Sequence, residues 1–184
     1  MFTFTGMTHA RGTVEFLMVL PALVAMLVAP TIRQASAAAA AETGGGRIRV
    51  LHETPVSPAA DIPQNVRDEC HTLGKEMPNA IVRASRRVTL VQTPKELMEK
   101  NGKYLFVEIT QVKAKGAGTL TGPKHLIVRG SLVENGKEIA NFEGDKGTMA
   151  AKGTCSTLDK AEKDLGEDIG RWLEHPKPND RLGQ

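Results

Sequence analysis

An Asn-Gly pair between two strand-like segments is the feature that most restricts the fold of this chain. Asn135 and Gly136 separate two segments, at residues 124–133 and 137–142, in which apolar side chains recur. A two-residue type I′ turn needs positive φ angles at both central positions, and Asn followed by Gly supplies them at little steric cost. The pair therefore predicts a β-hairpin that joins these two strands.

Three other segments have the composition or the alternation of strands. Residues 47–53 (RIRVLHE) alternate charged and apolar side chains, and residues 86–91 (RRVTLV) are rich in β-branched side chains. Residues 104–112 (YLFVEITQV) combine β-branched and aromatic side chains with little charge, which is typical of a central strand. A loop with two prolines, at residues 54–59, is expected after the first strand.

Two longer segments predict amphipathic helices. Asp61 is the expected N-cap of the first, and Pro78 is expected to end or kink it. Ser156 and Asp159 match a capping box at the start of the second, and residues 94–100 predict a short helical turn between the two. Apolar residues recur at spacings of three and four in both helices: Ile62, Val66, Cys70, Leu73 and Met77 in the first, and Leu158, Ala161, Leu165, Ile169 and Trp172 in the second.

This order of elements predicts an α+β fold. Two helices would pack on one face of a mainly antiparallel sheet of about five strands. Gly166 and Gly170 stand four residues apart in the second helix, where each glycine costs about 1 kcal/mol relative to Ala. We therefore expect this helix to pack closely against the sheet or against another subunit.

The amino-terminal residues predict an export signal. The apolar run at residues 16–30 has the length of a signal-peptide core, and it is shorter than the roughly 20 residues that a membrane-spanning helix needs. Small residues at Ala35 and Ala37 predict cleavage after Ala37, with Ala39 and Ala41 as alternatives. An uncleaved signal anchor is the other interpretation.

The chain is therefore expected to divide into four parts. These are a signal peptide at residues 1–37, a flexible linker at 38–46, one α+β domain at 47–176 and a loose polar tail at 177–184. The product would be periplasmic or secreted, with no stable membrane span after cleavage. No Cys lies near the cleavage site, which argues against a lipid anchor.

Both cysteines, Cys70 and Cys155, belong to the predicted domain. Disulfides form and persist in the oxidising compartments that exported proteins reach, so a Cys70–Cys155 disulfide is the natural interpretation. Two free thiols in the core, or a redox pair, are the alternatives, and the redox pair lacks a Cys-x-x-Cys spacing.

Charge gives little indication of a partner. The full chain has a formal net charge of +3, and removal of residues 1–37 takes away Arg11, Arg33 and Glu15 and leaves about +2. A nucleic-acid-binding domain usually has a strongly basic face, so no nucleic-acid partner is predicted.

Two glycine-bearing loops with lysines are the most suggestive candidates for a binding site. Residues 115–124 read KGAGTLTGPK, and residues 144–153 read GDKGTMAAKG. Glycine-rich loops expose backbone N–H groups that can hold an anion, but Pro123 separates Gly122 from Lys124 and breaks the P-loop pattern. Turns between strands explain the glycines equally well. The candidate residues for contact with a partner or an anion are Lys115, Lys124, His125, Lys146 and Lys152.

The sequence contains no recognised catalytic or metal-binding motif. His52, His71, His125 and His175 have no close spacing typical of metal ligands. Ser131 lacks the Gly-x-Ser-x-Gly context of a nucleophile, and its hydroxyl is expected to face solvent from a strand. No catalytic residue, metal ligand or cofactor site is therefore predicted.

The segment KYLFVEITQVKAKGAGTLTGPKHLIVRGSLVENGKEIANFEGDKG, followed by a helix that ends in DIGRWLEHP, resembles small exported proteobacterial proteins of unknown function. The resemblance covers residues 47–176. It implies a compact α/β domain in the cell envelope, distantly similar to the amino-terminal domain of TolB and to lipoprotein-type assembly factors. It implies no catalytic residues, and this chain lacks the acylatable Cys of the lipoproteins.

Two functions follow as hypotheses. The first is a non-enzymatic periplasmic binding or envelope-assembly module with a protein partner in the cell envelope. The alternative is a periplasmic enzyme that acts on an anionic substrate through the two glycine-lysine loops.

Overall fold

The computed structural model describes residues 46–99, 101–114, 123–149 and 153–184. These ranges all lie in one compact unit. In chain order, the elements within them are β1 (Ile48–Leu51), β2 (Val56–Asp61), α1 (Gln64–Glu69), α2 (Glu76–Ala84), β3 (Val88–Val91), α3 (Pro94–Leu97), β4 (Lys103–Ala114), β5 (Lys124–Glu134), β6 (Lys137–Thr148), α4 (Thr154–Trp172) and β7 (Asp180–Leu182).

The sheet differs from the prediction. The expected mainly antiparallel sheet of about five strands is wrong, because the described residues form a mixed seven-stranded sheet in the order β3-β1-β4-β5-β6-β7, with β2 beside β4. Only the pairs β4/β5 and β5/β6 are antiparallel, whereas β1/β3, β1/β4, β2/β4 and β6/β7 are parallel. Parallel neighbours need long crossovers, and helices supply them between β1 and β3 and between β6 and β7.

The two additional strands lie where the sequence indicated irregular structure. β2 occupies the predicted proline-containing loop and pairs with β4 only at Val56 and Asp61, with a shift in register between them. Pro58 lies within this strand, and proline is tolerated in a strand whose pairing is irregular. β7 lies in the predicted tail, so the expectation of a loose tail is wrong for Asp180–Leu182.

The hairpin is confirmed. Asn135 and Gly136 have φ angles of 52° and 78°, which are the positive values that a type I′ turn needs. The strands on either side pair from Glu134–Lys137 to Lys124–Thr148. β6 therefore extends six residues beyond the predicted end at Phe142.

The first predicted helix is divided into two. α1 ends at Glu69, and after a turn α2 begins at Glu76. The turn closes at Gly74, whose φ is +94° and where an added Cβ would lie 2.4 Å from the Thr54 carbonyl oxygen. Pro78 neither ends nor kinks a helix, because it lies in the first turn of α2, where a backbone N–H would have no intrahelical acceptor.

α4 starts two residues before the predicted position. Gly153 is its N-cap, and the Ser156 hydroxyl donates back to the Gly153 carbonyl oxygen, so the predicted capping box is wrong. The predicted apolar stripe of α4 is buried as expected. Gly166 and Gly170 do face a close neighbour, but that neighbour is α2.

The Cys70–Cys155 disulfide is confirmed. Its Cα atoms are 5.2 Å apart, and the bond joins the end of α1 to the first turn of α4. Within the described ranges, no helix is both long enough and apolar enough to cross a membrane. The predicted signal peptide, its cleavage site near Ala37 and most of the linker lie outside the described residues.

Candidate functional site

The sheet has one face that α4 does not cover. On β5, Leu126, Val128 and Leu132 alternate toward the buried side, where α4 packs on β5 and β6. The side chains between them are half-buried or exposed. The face of β4, β5, β6 and β7 opposite α4 is called the open face below.

A row of alternating charges crosses the open face. Glu108 of β4 pairs in register with Arg129 of β5, Arg129 pairs with Glu143 of β6, and Glu143 pairs with Arg181 of β7. The Arg129 guanidinium is 3.8 Å from the Glu143 carboxylate. Adjacent strands lie about 4.8 Å apart, so each charge has a neighbour of opposite sign.

A cleft of about 380 Å³ lies on the open face over β5, β6 and β7. We call it the open-face cleft. Most of its side chains are charged or hydrogen-bonding, so it suits a polar or charged surface better than an apolar ligand. It is lined by Arg129, Gly130, Ser131, Asn141, Phe142, Glu143, Asn179, Asp180 and Arg181.

Asn141 holds the wall of this cleft in place. Its Nδ2 donates to the Glu138 carboxylate at 2.7 Å, and its Oδ1 accepts the backbone N–H of Asn179 at 2.5 Å. Hydrogen bonds from Ser131 and then Asn141 lower the pKa of Glu138. Asn179 itself has a φ of 54°, a conformation that Asn adopts more readily than most residues. One side chain thus connects β6 to the residue that precedes β7.

Close packing beneath the cleft depends on a glycine. A Cβ at Gly130 would lie 2.2 Å from the Phe142 ring, so any other residue would displace this ring. The Phe142 ring in turn packs edge-on against Trp172 of α4, with ring centroids 4.9 Å apart. The cleft floor therefore rests on a tightly packed aromatic pair.

The structure does not bring the predicted site residues together. Lys146 lies on the α4 side of the sheet, where its ammonium is 3.3 Å from the Asp168 carboxylate. His125 lies on the open face, where its Nδ1 is 3.0 Å from the Asp145 carboxylate. Lys124 is fully buried at the start of β5. Lys115 and Lys152 lie outside the described residues.

The glycines of the second predicted loop are mostly in a strand. Gly144 and Gly147 belong to β6, so a loop over residues 144–148 is wrong. A Cβ at Gly144 would lie 2.9 Å from Leu165 of α4, and one at Gly147 would lie 2.8 Å from the His125 ring. Here glycine permits side chains to approach the strand closely and does not form a turn.

Sequence reasoning missed most of the open-face cleft. No sequence motif indicated a site at Arg129, Asn141, Glu143 or Arg181. For Ser131, the sequence predicted only that its hydroxyl faces solvent. Alternation along the hairpin strands was the available signal, because Arg129 and Ser131 stand two residues apart on one strand, as do Asn141 and Glu143 on the other. Within the described ranges, no group of three or more His, Cys, Asp or Glu side chains is placed to hold a metal ion.

Comparison with known proteins leaves the family open. No family model matches this sequence, and no curated protein matches it. Two structures of the PelC dodecamer from Paraburkholderia phytofirmans are similar. The first, a variant in space group C2, is 13% identical with a TM-score of 0.45, covering 68% of this chain and 85% of PelC. The second, in space group P6, is 11% identical with a TM-score of 0.42, covering 67% and 87%.

Proposed function

We propose that this protein is a non-enzymatic binding or envelope-assembly module that acts in the periplasm or outside the cell, and that a protein partner binds at the open-face cleft. The observation that carries the proposal is the cleft itself: it lies on the sheet face opposite α4 and is lined by charged side chains of both signs. Polar and charged groups of this kind give an interface its specificity and orientation.

The disulfide supports the proposed location. A bond between residues 85 positions apart persists in an oxidising compartment and is rare in the cytosol. This agrees with the export signal predicted for residues 1–37. Gel-shift labelling of free thiols on protein taken directly from cells would test this part separately.

The placement of His125 and Lys146 favours binding over the alternative enzyme. That enzyme would need its cationic side chains to converge on one anionic substrate. Lys146 is engaged with Asp168 under the sheet, whereas His125 and Asp145 lie on the open face. These two described candidates therefore face opposite sides of the sheet.

Photo-crosslinking in cells tests the proposed function. Phe106 is 38% exposed and pairs in register with Ser131 of the cleft, so p-benzoylphenylalanine at position 106 places a crosslinker there with little change in shape. The matched control is the same group at Met98, an exposed apolar residue beyond α3. We expect a crosslinked partner at position 106 and none at position 98.

A charge reversal at the cleft provides the second part of this test. Arg129→Glu should lower the crosslink yield at position 106 by roughly tenfold, because rim charges control encounter and register. Lys95→Glu in α3 makes the same charge change away from the cleft and should leave the yield unaltered. Equal crosslinking at positions 98 and 106, or a yield indifferent to Arg129→Glu, would contradict the proposal.

A further inference from the structure

The outer edge of β7 is a surface that the open-face cleft does not use. β7 is the last strand in the sheet order, and it pairs with β6 along its inner edge. Within the described ranges no strand pairs with its outer edge. The N–H and C=O groups of such an edge can pair with an added extended chain.

Clefts lie on both faces of the sheet beside β7. The second, of about 410 Å³, is formed by the end of α4 and by β7, and includes Arg171, Trp172, His175 and Lys177. We call it the helix-face cleft. Asp180 and Arg181 line both clefts. Because successive side chains of a strand point to opposite faces, two clefts in this arrangement could each receive alternate side chains of an added strand.

Trp172 lines the helix-face cleft and has a buried indole N–H without an acceptor among the described residues. Its side chain is 6% exposed, and no described residue accepts a hydrogen bond from its buried Nε1–H. Buried indole N–H groups usually find an acceptor. This N–H lies beneath the surface of the cleft, so an oxygen of a bound chain would reach it only if neighbouring side chains move.

The charges beside β7 favour an acidic chain. Lys177 and Arg181 are exposed and form no ion pair with other described residues. Arg171 differs, because it is already paired with Asp168 on its own helix. Arg181 lies beside Glu143 in register but is not engaged in an ion pair with it, so both cations remain available to carboxylates of a bound chain, and arginine binds carboxylates in a bidentate geometry.

We propose that the outer edge of β7 binds an extended acidic segment of the partner, which adds to the sheet as an eighth strand. The inference rests on the proposed function and specifies the chemistry of the partner. A second copy of this chain fits this edge less well. Two-fold antiparallel pairing centred on β7 would set the Arg181 side chains of the two copies against each other, and directly opposed like charges destabilise a strand pair.

Amide hydrogen exchange with two defined peptides tests this inference on the purified exported chain. The probes are an octapeptide of alternating Val and Glu and one of alternating Val and Lys, so that length and strand propensity are matched. The Val-Glu peptide should slow by about tenfold or more the exchange of those Asp180–Leu182 amides that point away from β6, because pairing protects edge N–H groups. The Val-Lys peptide should leave these amides unchanged.

Two variants test whether Arg181 is the cation that binds the acidic peptide. Arg181→Glu should abolish the protection by the Val-Glu peptide, whereas Lys95→Glu, with the same change of charge at the opposite end of the sheet, should preserve it. Equal protection by both peptides, protection only at the β3 edge, or no protection of β7 at millimolar peptide would each overturn the inference. If position 106 still crosslinks a partner in that case, the open-face cleft stands as the binding site and only the eighth strand fails.

Discussion

Gly166 of α4 and Ala80 of α2 lie in direct contact, so that a Cβ added at Gly166 would stand 2.6 Å from the Ala80 Cβ and 2.6 Å from the Met77 carbonyl oxygen. Real Cβ atoms do not approach backbone oxygens this closely, and the two helices would have to separate. The two glycines lower the intrinsic helix propensity of α4, but the close contact between α2 and α4 requires them.

Gly166→Ala should destabilise the protein by about 1–2 kcal/mol. Overpacking costs about 1–3 kcal/mol, and the better helix propensity of Ala recovers up to about 1 kcal/mol. Urea denaturation measures the change, with Glu167→Ala on the exposed side of the same turn as control. A Gly166→Ala protein more stable than the wild type would show that α2 and α4 are farther apart than described.

Stability should fall as pH rises through neutrality, because of Glu162. This buried carboxylate accepts the backbone N–H groups of Gly74, Glu76 and Met77 at 2.7, 3.0 and 3.3 Å. Burial raises the pKa of Glu162 from 4.5 to about 7, the three hydrogen bonds oppose this, and Asp159 adds to it. The folded state binds the proton of Glu162 more tightly than the unfolded state does. The contribution of Glu162 to stability is therefore greatest below about pH 4.5 and decreases toward pH 8.

The expected decrease is about 3 kcal/mol at most. Because histidines titrate in the same range, the quantity to measure is the difference between wild type and Glu162→Gln in urea denaturation at pH 5, 6, 7 and 8. The variant cannot ionise at position 162. The free energy of unfolding of the wild type should therefore fall relative to that of the variant as the pH rises. A gap that does not vary from pH 5 to 8 would refute the raised pKa.

Removal of the disulfide should lower the stability considerably. The bond closes a loop across 85 residues, for which the chain-entropy model gives an upper value of about 4.5 kcal/mol. We expect the double variant with Cys70→Ser and Cys155→Ser to have a lower urea midpoint than the oxidised wild type. Dithiothreitol should lower the midpoint of the wild type and not that of the variant. Two free thiols in wild-type protein purified from cells, detected by mass spectrometry, would be incompatible with the bond.

Local signals predicted the central hairpin, the last helix and the disulfide, because each depends on residues with few alternatives. Asn135-Gly136 favours a tight turn, and the three-and-four spacing of the apolar residues in α4 fits only a helix that is buried along that stripe. The parallel pairs could not be predicted in this way, since they are set by which strands the crossovers bring together. β2 and β7 are too short and too polar to be distinguished from loops.

A single bulge explains why Lys146 and His125, two of the candidate contact residues, lie on opposite faces of the sheet. Beside the turn, Glu134 pairs with Lys137 and Val133 with Glu138. Continued without interruption, this register would place His125 opposite Lys146. The register instead shifts by one residue at Ile139, so that His125 pairs with Gly147 and Lys146 turns to the other face. No residue pattern around Ile139 predicts this shift in register.

Asn141→Ala should loosen β7 without unfolding the sheet. The substitution removes the acceptor of the Asn179 N–H and the donor to Glu138, both at exposed positions. We expect the amides of Asp180–Leu182 to exchange about tenfold faster, with a global loss of about 1 kcal/mol or less. Asn79→Ala is the matched control, because its side chain also donates one exposed hydrogen bond, to the carbonyl oxygen of Lys75, the N-cap of α2, and α2 packs mainly on α4 and β3. If β7 exchanges at the wild-type rate in the Asn141 variant, the hydrogen bond to Asn179 is not what holds β7 on β6, and the parallel ladder to Phe142–Gly144 must suffice by itself.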